Sequence, residues 1–486
     1  MNKVLSLAVL STFAFLEARA SVQVIYGDDN RQEVFEASAA HQELAKSTAA
    51  MVSEDKMSRD AQRPGLVQLD QKTLREWLEN PEKSLSQKLF SSSVQKAAAQ
   101  GASFCSDTRY IEQANPAMCS GFLVGPDLIV TAGHCVEIEN FCENYRWVFD
   151  FKVDQTSKRA GVDVKEENIY KCKRVISHKL SMILGLDYGL IQLDRKVLGR
   201  APLKIENDLK VKDNQALVVI GNPSGLPTKV AGGANVRNNS HPNFFNANLD
   251  TFQGNSGSAV FNASTGVVEG ILVRGEEDFV PNYEKMCIEA KKCANNECRG
   301  EDISRMTSVP EFGLQKILYA ATTSENVVEL EKILKLNFWV DIYTQDGQSA
   351  LMKAASAGKN KSVELLLAKA ADVNLQDAVG DTALHLISKN LNESNESTLS
   401  TLMSAGAKLE LRNDNGETPI LAAAKNLNLL AVKKLIALGA DKNVTDNNGL
   451  GVFELLAKNA DEETLKDLSA LGVQKTPELE RVVLNQ

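Results

Sequence analysis

A serine lies between Asn255 and Gly257, two residues after Gly254, in the stretch DTFQGNSGSAVF (250–261). A serine hydroxyl is a poor nucleophile until a base takes its proton. A carboxylate on the far side of a histidine base fixes its tautomer and stabilises the imidazolium. Two further stretches supply those residue types. His134 stands next to Cys135 at the end of CSGFLVGPDLIVTAGHC (119–135), and Asp187 opens the apolar run of LGLDYGLIQLD (184–194). A lone histidine is ordinarily structural, and an acid at the start of a strand is ordinarily an edge or turn residue. Residue types alone therefore leave both roles open.

Positioning three such groups needs a rigid scaffold. Residues 22–305 read mainly as β, because short apolar runs such as SGFLVG, LIVTAG, RWVFDF, ALVVIG and VVEGILVRG recur between turn signals. That density suits a barrel or a sandwich. The exception is 54–104, expected as a helical insertion because 70–99 is rich in helix formers. All eight cysteines, at 105, 119, 135, 142, 172, 287, 293 and 298, fall in this half. An even set confined to one segment implies disulfides in an oxidising compartment. No CxxC or His/Cys spacing suggests zinc, and neither a metal nor a cofactor is expected.

The His134 and Asp187 stretches, with GNSGS at Ser256, resemble the chymotrypsin-type serine proteases. The chain order His134, Asp187, Ser256 is also that of this family. GNSGS and the opening VIYGDDNRQEV (24–34) are similar to the glutamyl-endopeptidase branch. The resemblance implies a double β-barrel and a triad of these three residues. It implies an oxyanion site from the N–H groups of Gly254 and Ser256, and a disulfide between Cys119 and Cys135, sixteen residues apart, bracing the strand before the histidine. It also puts the floor of the specificity pocket six residues before the nucleophile, at Asp250, and the pocket wall at GILVRGEED, with Val273 and Gly275. An acid at Asp250 suits Arg or Lys; the wall lacks the histidine that the glutamyl branch uses, and Arg274 at the mouth opposes a basic substrate. Specificity stays open. Asn255 stands where trypsin has an aspartate for its activating ion pair, so activation by that route is not expected. Cys142–Cys172 is a further candidate disulfide; the other four cysteines are open.

From 311 onward the pattern changes. DGQSALMKAASAG, VGDTALHLISKN, NGETPILAAAKN and NGLGVFELLAKN repeat one motif, with Gly347, Gly380, Gly416 and Gly449 at intervals of 33, 36 and 33 residues. This period, with TALH, resembles the ankyrin repeat, which implies an all-α solenoid over 311–475 before a tail at 476–486. Such arrays present surfaces suited to protein partners. Their turn tips here carry Gln345, Asp346, Gln348, Asp377, Asp381, Asn413, Asp414, Glu417, Asp446 and Asn447, an acidic and polar set that is either a solvated face or a surface suited to a basic or amphipathic protein segment.

The first twenty residues combine Lys3, an apolar run and Ala18-Arg19-Ala20, the pattern of a cleaved export signal. The expected location is secreted or periplasmic, without a membrane anchor after cleavage. A net charge of −9 argues against nucleic acid as the main partner. The expectation is an exported serine endopeptidase acting on proteins or peptides, its repeats recruiting substrate or capping the site. The alternative is an inactive protease-fold scaffold that binds proteins.

Overall fold

The apolar runs of the first half become strands in two closed rings. The computed structural model describes residues 24–59, 61–79, 91–155, 163–206, 210–275, 277–336, 338–344, 346–457 and 462–474. The first ring consists of β1 (Thr48–Ser53), β2 (Ala117–Gly125), β3 (Leu128–Thr131), β4 (Tyr145–Phe149), β5 (Ile169–Ser181) and β6 (Leu186–Leu193). Its order is β5-β6-β3-β2-β1-β4, closed by β4 on β5, with every pairing antiparallel. Trp147 fills the interior opposite Gly121, where an added Cβ would lie 2.6 Å from the indole ring.

The second ring consists of β7 (Ala216–Gly221), β8 (Lys229–Asn238), β9 (Phe244–Ala247), β10 (Ala259–Asn262), β11 (Val268–Arg274) and β12 (Glu301–Arg305). Its order is β7-β10-β11-β12-β9-β8, and β8 also pairs with β7 to close it. The short strand Arg31–Glu33 attaches outside β8. Four disulfides join Cys105 to Cys287, Cys119 to Cys135, Cys142 to Cys172 and Cys293 to Cys298.

The stretch expected as a helical insertion is mixed. Met57–Arg59 and Leu66–Leu69 are strands, and Leu66–Leu69 pairs with Asp163–Lys165. Leu66–Leu69 alternates in burial with the two-residue period of a strand, so the helical character read from 70–99 does not extend back over this part of the insertion. Helices follow at Leu74–Glu79 and Ser92–Ala99. Their Leu74, Leu78 and Val94 pack with Phe104, Ile111, Phe252 and Phe279. The export signal at 1–20, residues 80–90, Gln345 and the tail at 476–486 lie outside the described residues.

The second half is a stack of helix pairs: α1 (Pro310–Thr323) with α2 (Val327–Leu334), α3 (Ala350–Ser356) with α4 (Asn360–Ala368), α5 (Ala383–Asn390) with α6 (Glu396–Ser404), α7 (Pro419–Lys425) with α8 (Leu429–Ala437), and α9 (Val452–Ala457) with α10 (Glu462–Ala470). The periodic glycines Gly347, Gly380, Gly416 and Gly449 hold φ between +75° and +83°, the left-handed region that glycine enters without strain. Three tip residues repeat one device. Asp377, Asn413 and Asp446 each accept N–H bonds from the residues two and four positions on. Asp381 and Glu417 are buried and pair with Lys389 and Lys425. Much of the acidic tip character is therefore internal to the turns. One cluster of buried apolar side chains runs from the first ring through the whole array.

Candidate active site

The site is assembled at the seam of the two rings. β3 runs into a short helical turn, Gly133–Val136, that carries His134. Gly133 must be small, because a Cβ there would clash with the carbonyl of Lys179 and sit 2.9 Å from that of Tyr188. The turn thereby seats against the β5–β6 hairpin, where Asp187 pairs with Leu180. Asp187 grips the histidine at two points. Oδ1 accepts the His134 backbone N–H at 3.1 Å, and Oδ2 lies 2.9 Å from Nδ1. The carboxylate is 1% exposed, while the imidazole retains 28% of its side-chain surface. An ionised carboxylate only accepts, so the hydrogen sits on Nδ1 and Nε2 is left as the basic nitrogen.

Ser256 lies in the loop between β9 and β10 and is buried. Its carbonyl oxygen accepts the backbone N–H of Ser120 at 2.8 Å and touches Cys135 Sγ at 3.8 Å. The serine backbone thus rests on the disulfide beside His134. Gly257, at φ +90°, allows this approach, since a Cβ there would clash with Ser120 O and Thr131 Oγ1. The sulfurs of Cys119 and Cys135 lie near the imidazole, but their disulfide leaves no thiolate to bind a metal.

Gly254 holds φ +97°, and a Cβ there would lie 2.7 Å from Asn222 O and from the Gly225 nitrogen. Its carbonyl accepts the Ser120 hydroxyl at 2.8 Å. The same hydroxyl oxygen accepts the Asn222 N–H at 2.9 Å. Ser120 thus ties down both ends of the 254–256 segment, a role that sequence reasoning missed. Its signal was a polar residue inside an apolar strand. The Asn255 amide oxygen accepts the Ser258 hydroxyl at 3.2 Å, a bond internal to this loop.

Asp250 is buried and already engaged. Its Oδ1 accepts the Tyr26 N–H at 2.6 Å, and Oδ2 accepts the Asn30 N–H at 3.2 Å. Burial pushes this carboxyl up to about 6, against the pull of those two N–H groups. Val273 is buried in β11, and Gly275 follows that strand against Glu301, whose carboxylate occupies the space a Cβ would need. Arg274 lies 3.6 Å from Asp302, and its Nη1 contacts Met182 Sδ at 3.0 Å. The hairpin tip carrying Met182, Ile183 and Leu184 is exposed and apolar.

Comparison with known families agrees with this architecture. The trypsin-like peptidase domain matches residues 119–271, and ankyrin repeats match 317–413 and 351–446. The chain carries a trypsin-like peptidase domain followed by ankyrin repeats. It is similar over 128 residues, at 38% identity, to the tyrosine-protein kinase Shark of Drosophila melanogaster, a match covering 26% of this chain and 13% of the kinase. A putative ankyrin repeat protein, L271, of Acanthamoeba polyphaga mimivirus is 29% identical over 24% of this chain and 17% of its own. The inactive serine/threonine-protein kinase TEX14 of Bos taurus is 31% identical over 26% and 9%. The chain spans less than a fifth of the length of each of these relatives.

Proposed function

We propose that the protein is a serine endopeptidase in which Ser256 is the nucleophile, His134 the general base and Asp187 the orienting carboxylate. The observation that carries this reading is the two-point grip of Asp187 on His134, which presents Nε2 as base. Ser256 Oγ attacks the scissile carbonyl carbon as Nε2 takes the hydroxyl proton. The oxyanion is held by the N–H groups of Gly254 and Ser256, in a loop whose carbonyls are fixed by Ser120. When the C–N bond breaks, the imidazolium returns the proton to the leaving amine. A water activated by the same nitrogen then releases the acyl group and regenerates the serine. No residue outside this set is required for the bond changes.

The substrates are proteins or peptides. The two N–H groups already on Asp250 weaken the case for Arg or Lys at the cleavage site, and the pairing of Arg274 with Asp302 weakens its opposition to a cation. Four disulfides and the leader-like 1–20 support an exported, oxidising location. The test is labelling of the purified protein with a fluorophosphonate. Modification at Ser256, lost in Ser256→Ala, supports the reading. An unlabelled, folded protein without peptide hydrolysis overturns it in favour of a protein-binding scaffold.

A further inference from the structure

The ankyrin array is seated on the hairpin that presents Asp187. Glu311, in the first turn of α1, is 2% exposed, and its Oε2 accepts the Ser177 hydroxyl from β5 at 2.9 Å. Its carboxylate also meets its own N–H and that of Trp339. One buried acid therefore binds the catalytic barrel, the first array helix and the first array loop together. Ser177 pairs with Leu190 across the hairpin, and Leu180, three residues on, pairs with Asp187.

Other contacts lie around this joint. The Arg174 guanidinium from β5 stands 5.7 Å from the centre of the Trp339 ring. Arg174 also donates to Gln192 of β6 at 2.9 Å, and Gln192 donates to Asp127 at 2.8 Å. At the end of β2, an added Cβ on Gly125 would lie 2.6 Å from the Tyr343 ring, so this glycine admits the array's first tip. Further along, Lys196 pairs with Asp414 at 2.8 Å. On its opposite side the hairpin touches the His134 turn through the carbonyls of Lys179 and Tyr188. The hairpin is held between the histidine turn and the array.

We propose that the array is a fixed wall of the catalytic unit and that Glu311 is a positioning residue, holding the β5–β6 hairpin so that Asp187 meets His134. This rests on the peptidase reading. It differs from a tethered recruiter, which would touch substrate and leave the triad alone.

The test uses the full chain with Glu311→Ala, Glu311→Gln and Ser177→Ala. For a short peptide, Glu311→Ala lowers kcat by about 10- to 100-fold, the scale of a small misplacement of reacting groups, with KM within about twofold. Glu311→Gln restores most of kcat, because its amide oxygen still accepts a backbone N–H and its NH2 donates to the Ser177 hydroxyl oxygen. Proton NMR gives a readout independent of turnover. The Nδ1 proton of His134, shielded from exchange by its bond to Asp187, broadens or disappears in Glu311→Ala and persists in Glu311→Gln. A folded Glu311→Ala protein with unchanged kcat and an unchanged Nδ1 signal overturns the proposal, as does a change confined to KM. If Glu311→Ala does not fold, Ser177→Ala decides by the same two readouts. If the wild-type protein is not labelled at Ser256, the peptidase reading fails and the Nδ1 signal alone decides whether Glu311 sets the hairpin.

Discussion

Ser120 holds Gly254 by its carbonyl: the serine hydroxyl donates to Gly254 O at 2.8 Å, while the Ser120 N–H donates to Ser256 O at the same distance. Ser120 thereby fixes the carbonyls on both sides of Asn255, across 134 residues of sequence, and holds in place the loop that carries the proposed nucleophile and oxyanion donors. Ser120→Ala removes this bond and leaves the buried Asn222 N–H without its acceptor. The expected result is a loss of kcat of about tenfold or more, since deleting a whole oxyanion donor costs 10²–10³. The unsatisfied N–H destabilises the fold by about 1–3 kcal/mol. Peptide kinetics and urea unfolding of the one variant check both.

Gly133→Ala places a methyl group against the carbonyls of Lys179 and Tyr188. Backbone on both sides leaves little room to yield, and overpacking of this kind costs about 1–3 kcal/mol. Because the strain acts between His134 and the Asp187 hairpin, kcat should fall by more than the stability loss explains. Measurement well below the melting transition separates the two. Full activity there would show that the contact does not set the imidazole.

Asp250 gives a pH test. Its carboxyl is raised to about 6 from an ordinary 3.8, with burial as the largest cause. The folded protein therefore binds this proton more tightly than the unfolded chain, and ionisation costs stability as pH rises between those values. About two pKa units correspond to about 3 kcal/mol. Asp250→Asn stays neutral throughout, so the stability of the wild type relative to the variant should fall by up to that amount from about pH 4 to about pH 7. Urea midpoints at the two ends measure the difference; a constant value contradicts it. A peptide library cut by the same variant tests the specificity role. An unchanged preference means that Asp250 serves the Tyr26–Asn30 segment alone.

Replacing Cys119 and Cys135 together by alanine opens a sixteen-residue loop. A cross-link of that span contributes about 3 kcal/mol. The variant should unfold at correspondingly lower urea and lose activity, since the disulfide also lies under the Ser256 carbonyl. Retained activity would mean that the paired strands hold His134 without it.

What the sequence made legible was local or repeated. TAGHC and GNSGS announce themselves because the proposed base and the proposed nucleophile loop each need several neighbouring residues of restricted type. The array was readable because Gly347, Gly380, Gly416 and Gly449 mark one left-handed position again and again. The illegible features are contacts across long stretches of chain. Nothing near Asp250 announces that Tyr26, 224 residues earlier, occupies its carboxylate. The acids at the array tips looked like a solvated binding surface, yet Asp377 and Asp446 are consumed by their own turns. A side chain's type gives its bonding capacity; only the folded backbone gives the partner that uses it.

Where the array rests constrains how it can vary. The seat involves α1, the loop through Trp339 and Tyr343, and the turn at Asp414. Repeats added or removed beyond α8 leave every one of these contacts in place, so the distal end is free to lengthen, shorten or diversify its surface. A repeat inserted between α1 and α3 would push Tyr343 off Gly125 and shift the register of the whole stack against the barrel. Descendants and engineered variants of this chain should therefore differ at the far end of the solenoid and resist change at the near one.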